Sequence, residues 1–179
     1  LMRDDRGESV TGLYTDPDTG QLISTNSMLK TFRRCPRQAD YKYHRRLKPK
    51  VQTRPLSFGT WMHHLLEAYY KEQGGFETDP WDVVHKRLTG KFLKLFDEEK
   101  DALGNLPVEC YNLMKSYLWH YKEHEWKVLD VEGMLETEFP DGSIFRGKFD
   151  VLVEDEYGIW IVDHKNMKGF PNFDLRMLD

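Results

Sequence analysis

The amino-acid sequence predicts a single α/β domain over residues 1–179, in which helices flank a mixed sheet that contains a three-stranded antiparallel meander. Amphipathic helical patterns continue as far as Trp126, strand-like alternation follows, and turn-forming residues separate the alternating segments. A chain of 179 residues can bury one hydrophobic core. We expect an N-terminal hairpin and basic helical region over residues 1–55 and the core over residues 56–179.

The composition is typical of an intracellular protein. Hydrophobic residues make up 39% of the chain and charged residues 31%, which provides for both a core and a hydrated surface. No apolar run is long enough to span a membrane, and the first residues lack the apolar segment of a secretory signal. Cys35 and Cys110 are too few for a disulfide framework. We expect a cytoplasmic protein without a membrane partner, and Cys110 to be a buried or half-buried thiol.

The N-terminal region is predicted to form a hairpin and two helices. Pro, Asp and Gly residues within 13–24 form a turn between two mildly apolar arms. Ser and Asn residues before Met28 can cap a helix that ends near Pro36. A second, basic helix is expected to extend to about Leu47.

A basic segment lies between Lys30 and Arg54. It contains ten Lys or Arg residues and one acid, a net charge of +9, whereas 16 basic and 29 acidic residues elsewhere give −13. Cations attract phosphates and aromatic rings stack on bases, so this segment suits a polyanion. The alternative is a solvated helical face. The expected nucleic-acid-binding residues are Arg33, Arg34, Arg37, Tyr41, Tyr43, Arg45 and Arg46.

The clearest helical pattern begins with Ser57 as a cap and ends at Gly74 and Gly75. Its apolar residues, from Phe58 to Tyr69, form one stripe. Residues four apart are neighbours on a helix, so His63 and Glu67 are expected side by side at the edge of the stripe, with His64 directed away.

Two further amphipathic helices are predicted, from Pro80 to about Lys100 and from Pro107 to about Trp126. Beyond Trp126, three alternating segments are separated by the turns PDG and EDEYG, which predicts the antiparallel meander.

Acidic and basic side chains collect at one end of this meander. Alternation places Asp163 and Lys165 on one face of the last strand, and Asp150 can lie beside them if the last two strands pair. Two carboxylates can hold Mg²⁺, and a histidine such as His63 adds a nitrogen ligand that also suits Mn²⁺. A bound metal and a nearby lysine suit phosphodiester hydrolysis. The alternative is a plain ion pair between Asp163 and Lys165.

Four motifs together resemble the PD-(D/E)XK nuclease superfamily and, within it, the RecB-like exonucleases, which are related to CRISPR-associated and phage exonucleases. The motifs are SMLKTFRRCP, GTWMH with His63, GKFD with Asp150, and DHK with Asp163 and Lys165. The resemblance implies a restriction-endonuclease-like core and a DNA exonuclease that acts on single strands or linear duplex ends. It implies that His63, Asp150, Asp163 and the backbone carbonyl of His164 hold Mg²⁺ or Mn²⁺, and that Asp150, Asp163 and Lys165 are catalytic.

The chain departs from the family pattern in two respects. The resemblance implies a Gln-x-x-x-Tyr helix after the lysine strand, but the chain stops at Asp179, so we expect either truncation or absence of that helix. Cys35 matches the first cysteine of relatives that bind an iron–sulfur cluster, but no later trio of cysteines follows, so no cluster is expected within this chain. Two alternatives remain open: an endonuclease of the same superfamily, and a non-catalytic DNA-binding or recombination-scaffold protein of the same fold.

Overall fold

The computed structural model describes residues 14–15, 20–47, 53–71, 79–122 and 126–166. The helices in these ranges are α1 Asn26–Arg34, α2 Pro36–Ala39, α3 Arg54–Lys71, α4 Pro80–Phe92, α5 Asp97–Leu103 and α6 Leu106–His120. The strands are β1 Tyr14–Thr15, β2 Leu22–Ser24, β3 Lys127–Val131, β4 Met134–Glu138, β5 Ile144–Lys148, β6 Val151–Asp155 and β7 Gly158–Val162. Among the described helices, none is long and apolar enough to cross a membrane.

The N-terminal elements form with two local differences from the prediction. β1 and β2 pair antiparallel, as expected for the arms of the hairpin, and residues 16–19 of its turn lie outside the described residues. The cap of α1 is Thr25 rather than a Ser or Asn residue, and its hydroxyl oxygen accepts a hydrogen bond from the Met28 amide (3.2 Å) that the helix start would leave without a partner. The second basic helix is α2 followed by a π-helical turn at Asp40–His44, so it ends before Leu47.

Helix α3 begins earlier than predicted, at Arg54 instead of after Ser57. The Ser57 amide already bonds to the Thr53 carbonyl (3.0 Å), so Ser57 belongs to the first turn. The Arg54 guanidinium holds this helix start in place, because it donates to the Leu103 carbonyl (3.0 Å) and to both carboxylate oxygens of Glu109 (2.7 and 2.6 Å). The start is therefore set by contacts with α5 and α6 that the local sequence does not reveal.

The predicted helix from Pro80 to about Lys100 is two helices. α4 ends at Phe92, and α5 begins with three consecutive acids at Asp97–Glu99, which favour the positive end of a helix dipole. The Glu99 carboxylate also accepts a hydrogen bond from the Phe96 amide (3.1 Å). The next helix, α6, ends at His120, before the predicted Trp126.

The antiparallel meander is present, but its first two strands are each interrupted once. Residues 132–133 separate β3 from β4, and residues 149–150 separate β5 from β6. β4 pairs with β5, whereas β6 pairs with both β3 and β7, all antiparallel. The meander is thereby divided between a sheet of order β3-β6-β7 and one of order β1-β2-β5-β4. β2 runs parallel to β5, which makes the second sheet mixed.

The hydrophobic core joins α3, α4 and α6 to strand β6. Fully or almost fully buried side chains form one cluster: Met62, Leu65, Leu106, Cys110, Met114, Val151 and Val153. The predicted apolar stripe of α3 faces this cluster, and burial raises the pKa of the Cys110 thiol to about 12. Because Met62 and Val151 are both held in the core, the residues next to them, His63 and Asp150, are brought to the same edge of it.

Candidate metal centre

Helix α3 positions His63 at the edge of the core. Trp61 and Met62 precede it and are buried, while the His63 side chain keeps 34% of its surface exposed. Glu67, four residues further along α3, pairs with His64 and Lys71 rather than with His63. Its carboxylate contacts His64 Nδ1 (3.5 Å) and Lys71 Nζ (2.7 Å), which leaves the His63 ring free to face the meander.

Glu132 and Asp150 lie opposite each other where the two long strands are interrupted. Val131 pairs with Val151 and Met134 with Lys148, so Glu132 and Asp150 occupy matching positions between these pairs. Glu132 adopts the left-handed backbone conformation (φ 56°), which is uncommon for a residue with a Cβ and concentrates at functional sites. Its amide donates to the Asp150 carbonyl (2.7 Å). This bond ties the unusual backbone conformation to Asp150.

Three side chains converge at this point from α3 and the two strands. His63 Nδ1 lies 3.4 Å from Asp150 Oδ1 and 3.9 Å from Glu132 Oε1. One ligand atom from each residue falls within 4.8 Å of the others. The Asp150 and Glu132 side chains are only 16% and 14% exposed, and the ammonium group of Lys148 pairs with the second oxygen of Glu132. Two carboxylates this close and this sheltered repel each other, which favours a bound cation.

A hydrogen-bonded chain of neutral groups anchors Asp150 from behind. Asp150 Oδ2 accepts a bond from the His164 amide (2.7 Å), and His164 Nε2 contacts the Tyr117 hydroxyl (2.9 Å), which contacts the Tyr70 hydroxyl (2.5 Å). Burial lowers the pKa of the His164 ring and raises the pKa of both tyrosines. These groups are therefore uncharged at neutral pH, and they fix the carboxylate without adding a competing charge.

Asp163 and Lys165 lie at the same end of the meander but outside the three-residue cluster. Asp163 follows β7 directly, and Lys165 Nζ donates to Asp163 Oδ1 (2.6 Å). Both side chains are more than half exposed. The structure therefore brings together His63 and Asp150 of the predicted set and adds Glu132, while Asp163 and Lys165 form an ion pair with each other just beyond the end of β7.

The cluster has the chemistry and dimensions of a site for a small divalent cation. Mg²⁺ prefers octahedral coordination with bonds of about 2.1 Å, which puts adjacent ligand atoms about 3 Å apart. The 3.4 and 3.9 Å separations between His63 and the two acids lie close to that value. Two carboxylate oxygens suit Mg²⁺, and the added imidazole nitrogen suits Mn²⁺ as well.

The amino-acid sequence matches the model of a known protein family. A family model described as the PD-(D/E)XK nuclease superfamily matches residues 24–176. The chain belongs to the PD-(D/E)XK nuclease superfamily. The helices packed on a mixed sheet confirm the expected restriction-endonuclease-like architecture of this superfamily. A search of curated proteins finds no match.

Membership assigns the chain to a superfamily of nucleases that generally use divalent metals, which agrees with the cluster of His63, Glu132 and Asp150. Glu132 is the residue that sequence reasoning missed. The sequence feature that predicts its position is the turn at residues 140–142. Asp150 and Glu132 are equally distant from Asp141 along the chain, so a hairpin centred on Asp141 pairs them. Glu136 and Glu138 are exposed on β4 and lie outside the cluster.

The basic segment of this superfamily member is ordered by contacts among its own residues. Arg37 Nε donates to the Tyr41 hydroxyl (2.9 Å), and Arg45 Nε donates to Asp40 Oδ2 (2.7 Å). The guanidinium groups of Arg37 and Arg45 lie 5.6 and 5.3 Å from the centre of the Tyr41 ring, and Lys42 Nζ lies 4.9 Å from that of Tyr43. Further cations at the end of α1, Arg33 and Arg34, are exposed. Residues 48–52 of the segment lie outside the described residues.

Proposed function

We propose that this protein is a metal-dependent DNA nuclease of the RecB-like group and that it acts as an exonuclease. The observation that carries the proposal is the convergence of His63, Glu132 and Asp150, with Asp163 and Lys165 at the neighbouring strand end. The basic segment supplies cations for the DNA backbone, and the four sequence motifs occur in the order typical of RecB-like exonucleases.

In the proposed site, His63, Asp150, Asp163 and the carbonyl of His164 hold Mg²⁺ or Mn²⁺, and Glu132 adds a further carboxylate. Asp163 is half exposed, so its side chain is free to turn from Lys165 toward Asp150. A bound metal of this kind stabilises charge on the phosphate and lowers the pKa of its water. Lys165 then neutralises charge that develops on the phosphate, and the hydrogen bond from the His164 amide keeps Asp150 in place.

Replacement of Lys165 by Ala should slow cleavage of end-labelled linear DNA by about a hundredfold, since loss of one group that stabilises the transition-state charge costs at least that much. The measurement is a gel-based digestion of linear DNA with Mg²⁺ or Mn²⁺. Lys86→Ala is the matched control, because Lys86 is an exposed lysine on α4 whose ammonium also pairs with an aspartate. If Lys165→Ala and Asp163→Ala both cut as fast as the parent, the proposed site is wrong.

Replacement of His63 by Ala should weaken the binding of Mn²⁺ more than the binding of Mg²⁺. The imidazole nitrogen is the softer ligand, so we expect the apparent affinity for Mn²⁺ to fall by at least about tenfold, or about 1.4 kcal/mol. Titration of cleavage rate against each metal gives the result. His64→Ala is the control, since His64 is the next residue on α3 and contacts Glu67 instead. An unchanged ratio of manganese to magnesium activity in His63→Ala would count against a ligand role for His63.

The exonuclease proposal is tested by comparing covalently closed circular DNA with the same DNA after linearisation. An exonuclease degrades only the linear form, whereas rapid cutting of the closed circle identifies an endonuclease of the same superfamily. Metal-independent DNA binding without cleavage of either form would identify a non-catalytic DNA-binding protein.

A further inference from the structure

We propose that strand β5 guides one strand of nucleic acid from the basic segment to the metal centre, with the phosphates on Arg146 and Lys148. This inference rests on the proposed function and adds the path of the substrate to it. Arg146 and Lys148 are two residues apart on β5, so their side chains share one face of the sheet, with a separation of about 6.7 Å along the strand. The two cations face different neighbours.

Lys148 lies at the metal centre. Its ammonium group pairs with Glu132, whose other carboxylate oxygen is 3.9 Å from His63 Nδ1. The Lys148 side chain is nevertheless 62% exposed, so its charge is accessible from solvent. A phosphate that approaches the cluster along β5 therefore meets this ammonium group first.

Arg146 lies at the basic segment. It lines a groove of about 330 Å³ together with Lys42, Tyr43 and Arg46, and buried Ile23 and Met28 form an apolar part of the lining. Cations beside an aromatic ring and an apolar surface suit a nucleotide, since phosphate binds the charges while the base contacts the ring and the apolar side chains. The groove and the metal centre are thus connected by adjacent same-face residues of one strand.

The acids that pair with these two cations do not block the path. Arg146 Nε contacts Glu136 Oε1 (2.5 Å), and Lys148 contacts Glu132. The Arg146–Glu136 pair is partly exposed on both sides, and exposed ion pairs contribute only about 0–1 kcal/mol, whereas phosphate contacts also release counterions from the nucleic acid. A phosphate can therefore replace Glu136. Glu132 is sheltered, but the Lys148 side chain is exposed, so its ammonium group can contact a phosphate beside its carboxylate partner.

The test measures binding of a fluorescein-labelled oligothymidylate by anisotropy, without added divalent metal, over a series of KCl concentrations. Arg146→Gln and Lys148→Gln should each reduce the slope of log affinity against log salt by about 0.7, the value for one lost phosphate contact on a single strand. Arg146→Lys should restore most of the slope because it keeps the charge. The control is Lys127→Gln, which removes an exposed strand lysine from a similar ion pair with Glu154.

With Mn²⁺ present, Arg146→Gln should raise KM for the same oligonucleotide more than it lowers kcat. Unfolding of part of the protein would instead lower kcat and leave KM unchanged. Circular dichroism melting confirms that the variants fold. If the parent cleaves DNA but both glutamine variants match Lys127→Gln in salt slope and KM, the β5 path is wrong and the nuclease function stands. If the parent cleaves neither the oligonucleotide nor linear duplex DNA with Mn²⁺, the proposed function is overturned and the β5 path with it.

Discussion

Asp150→Asn should reduce DNA cleavage by about a thousandfold, because metal polarisation of a phosphate contributes several kcal/mol and about 4 kcal/mol corresponds to that factor in rate. Asn has nearly the same shape as Asp, and its side-chain oxygen can still accept the hydrogen bond from the His164 amide (2.7 Å). The substitution therefore removes the negative charge that faces His63 while it keeps the bond that orders the strand end. We expect the affinity for Mn²⁺ to fall in parallel with the rate.

The control for this variant is Asp97→Asn. Asp97 opens helix α5, and its side chain is 96% exposed, so the change removes the same charge at a position outside the cluster of ligand groups found among the described residues. Cleavage rates at saturating Mn²⁺ and isothermal titration with the metal give the two readouts. If Asp150→Asn cleaves DNA at a rate within a few-fold of that of Asp97→Asn, Asp150 is not a metal ligand.

Most of the fold that can be predicted from the sequence follows from two patterns, the helical spacing in α3 and the alternation after Trp126. Both patterns report which side of an element is buried, and burial is what aligns α3 with β6. The interruption at residues 149–150 was not predictable, because SIFRGKFDVLV reads as one continuous strand. Gly133 lies against the buried ring of Phe149 at the two interruptions, and this contact joins segments of the chain that are separate in sequence.

The candidate site was predictable to the extent that it follows from periodicity. Spacing distinguished His63 from His64, and the last two strands do bring Asp150 and Asp163 to one end of the sheet. Spacing could not determine which acid reaches His63, because β7 ends at Val162 and strand geometry no longer dictates the direction of Asp163. The turn centred on Asp141 places Glu132 opposite Asp150, but the left-handed backbone conformation of Glu132 has no signal in the sequence.

Gly133→Ala should destabilise the protein by about 1–3 kcal/mol, the usual cost of overpacking a filled site. A Cβ at this position would overlap Phe149 Cζ and Asp130 Oδ2. Phe149 is 6% exposed and cannot withdraw into solvent, so the strands must separate. For a chain of this size about 1 kcal/mol lowers Tm by about 2–4 °C, and thermal melting followed by circular dichroism measures the change.

The same overlap should weaken the metal centre, because Gly133 follows Glu132 and lies opposite Phe149, the residue before Asp150. Added Mn²⁺ should therefore raise the Tm of Gly133→Ala less than that of the parent, since a ligand stabilises only in proportion to its affinity for the folded state. Gly90→Ala is the matched control. Gly90 lies inside α4, and an added Cβ there meets nothing within 4 Å. Because Ala is a better helix former than Gly, the Tm of Gly90→Ala should rise slightly. A Tm for Gly133→Ala equal to that of Gly90→Ala would show that the strands accommodate the methyl group. If Mn²⁺ raises the Tm of Gly133→Ala as much as that of the parent, the conformation at the strand interruption does not affect metal binding.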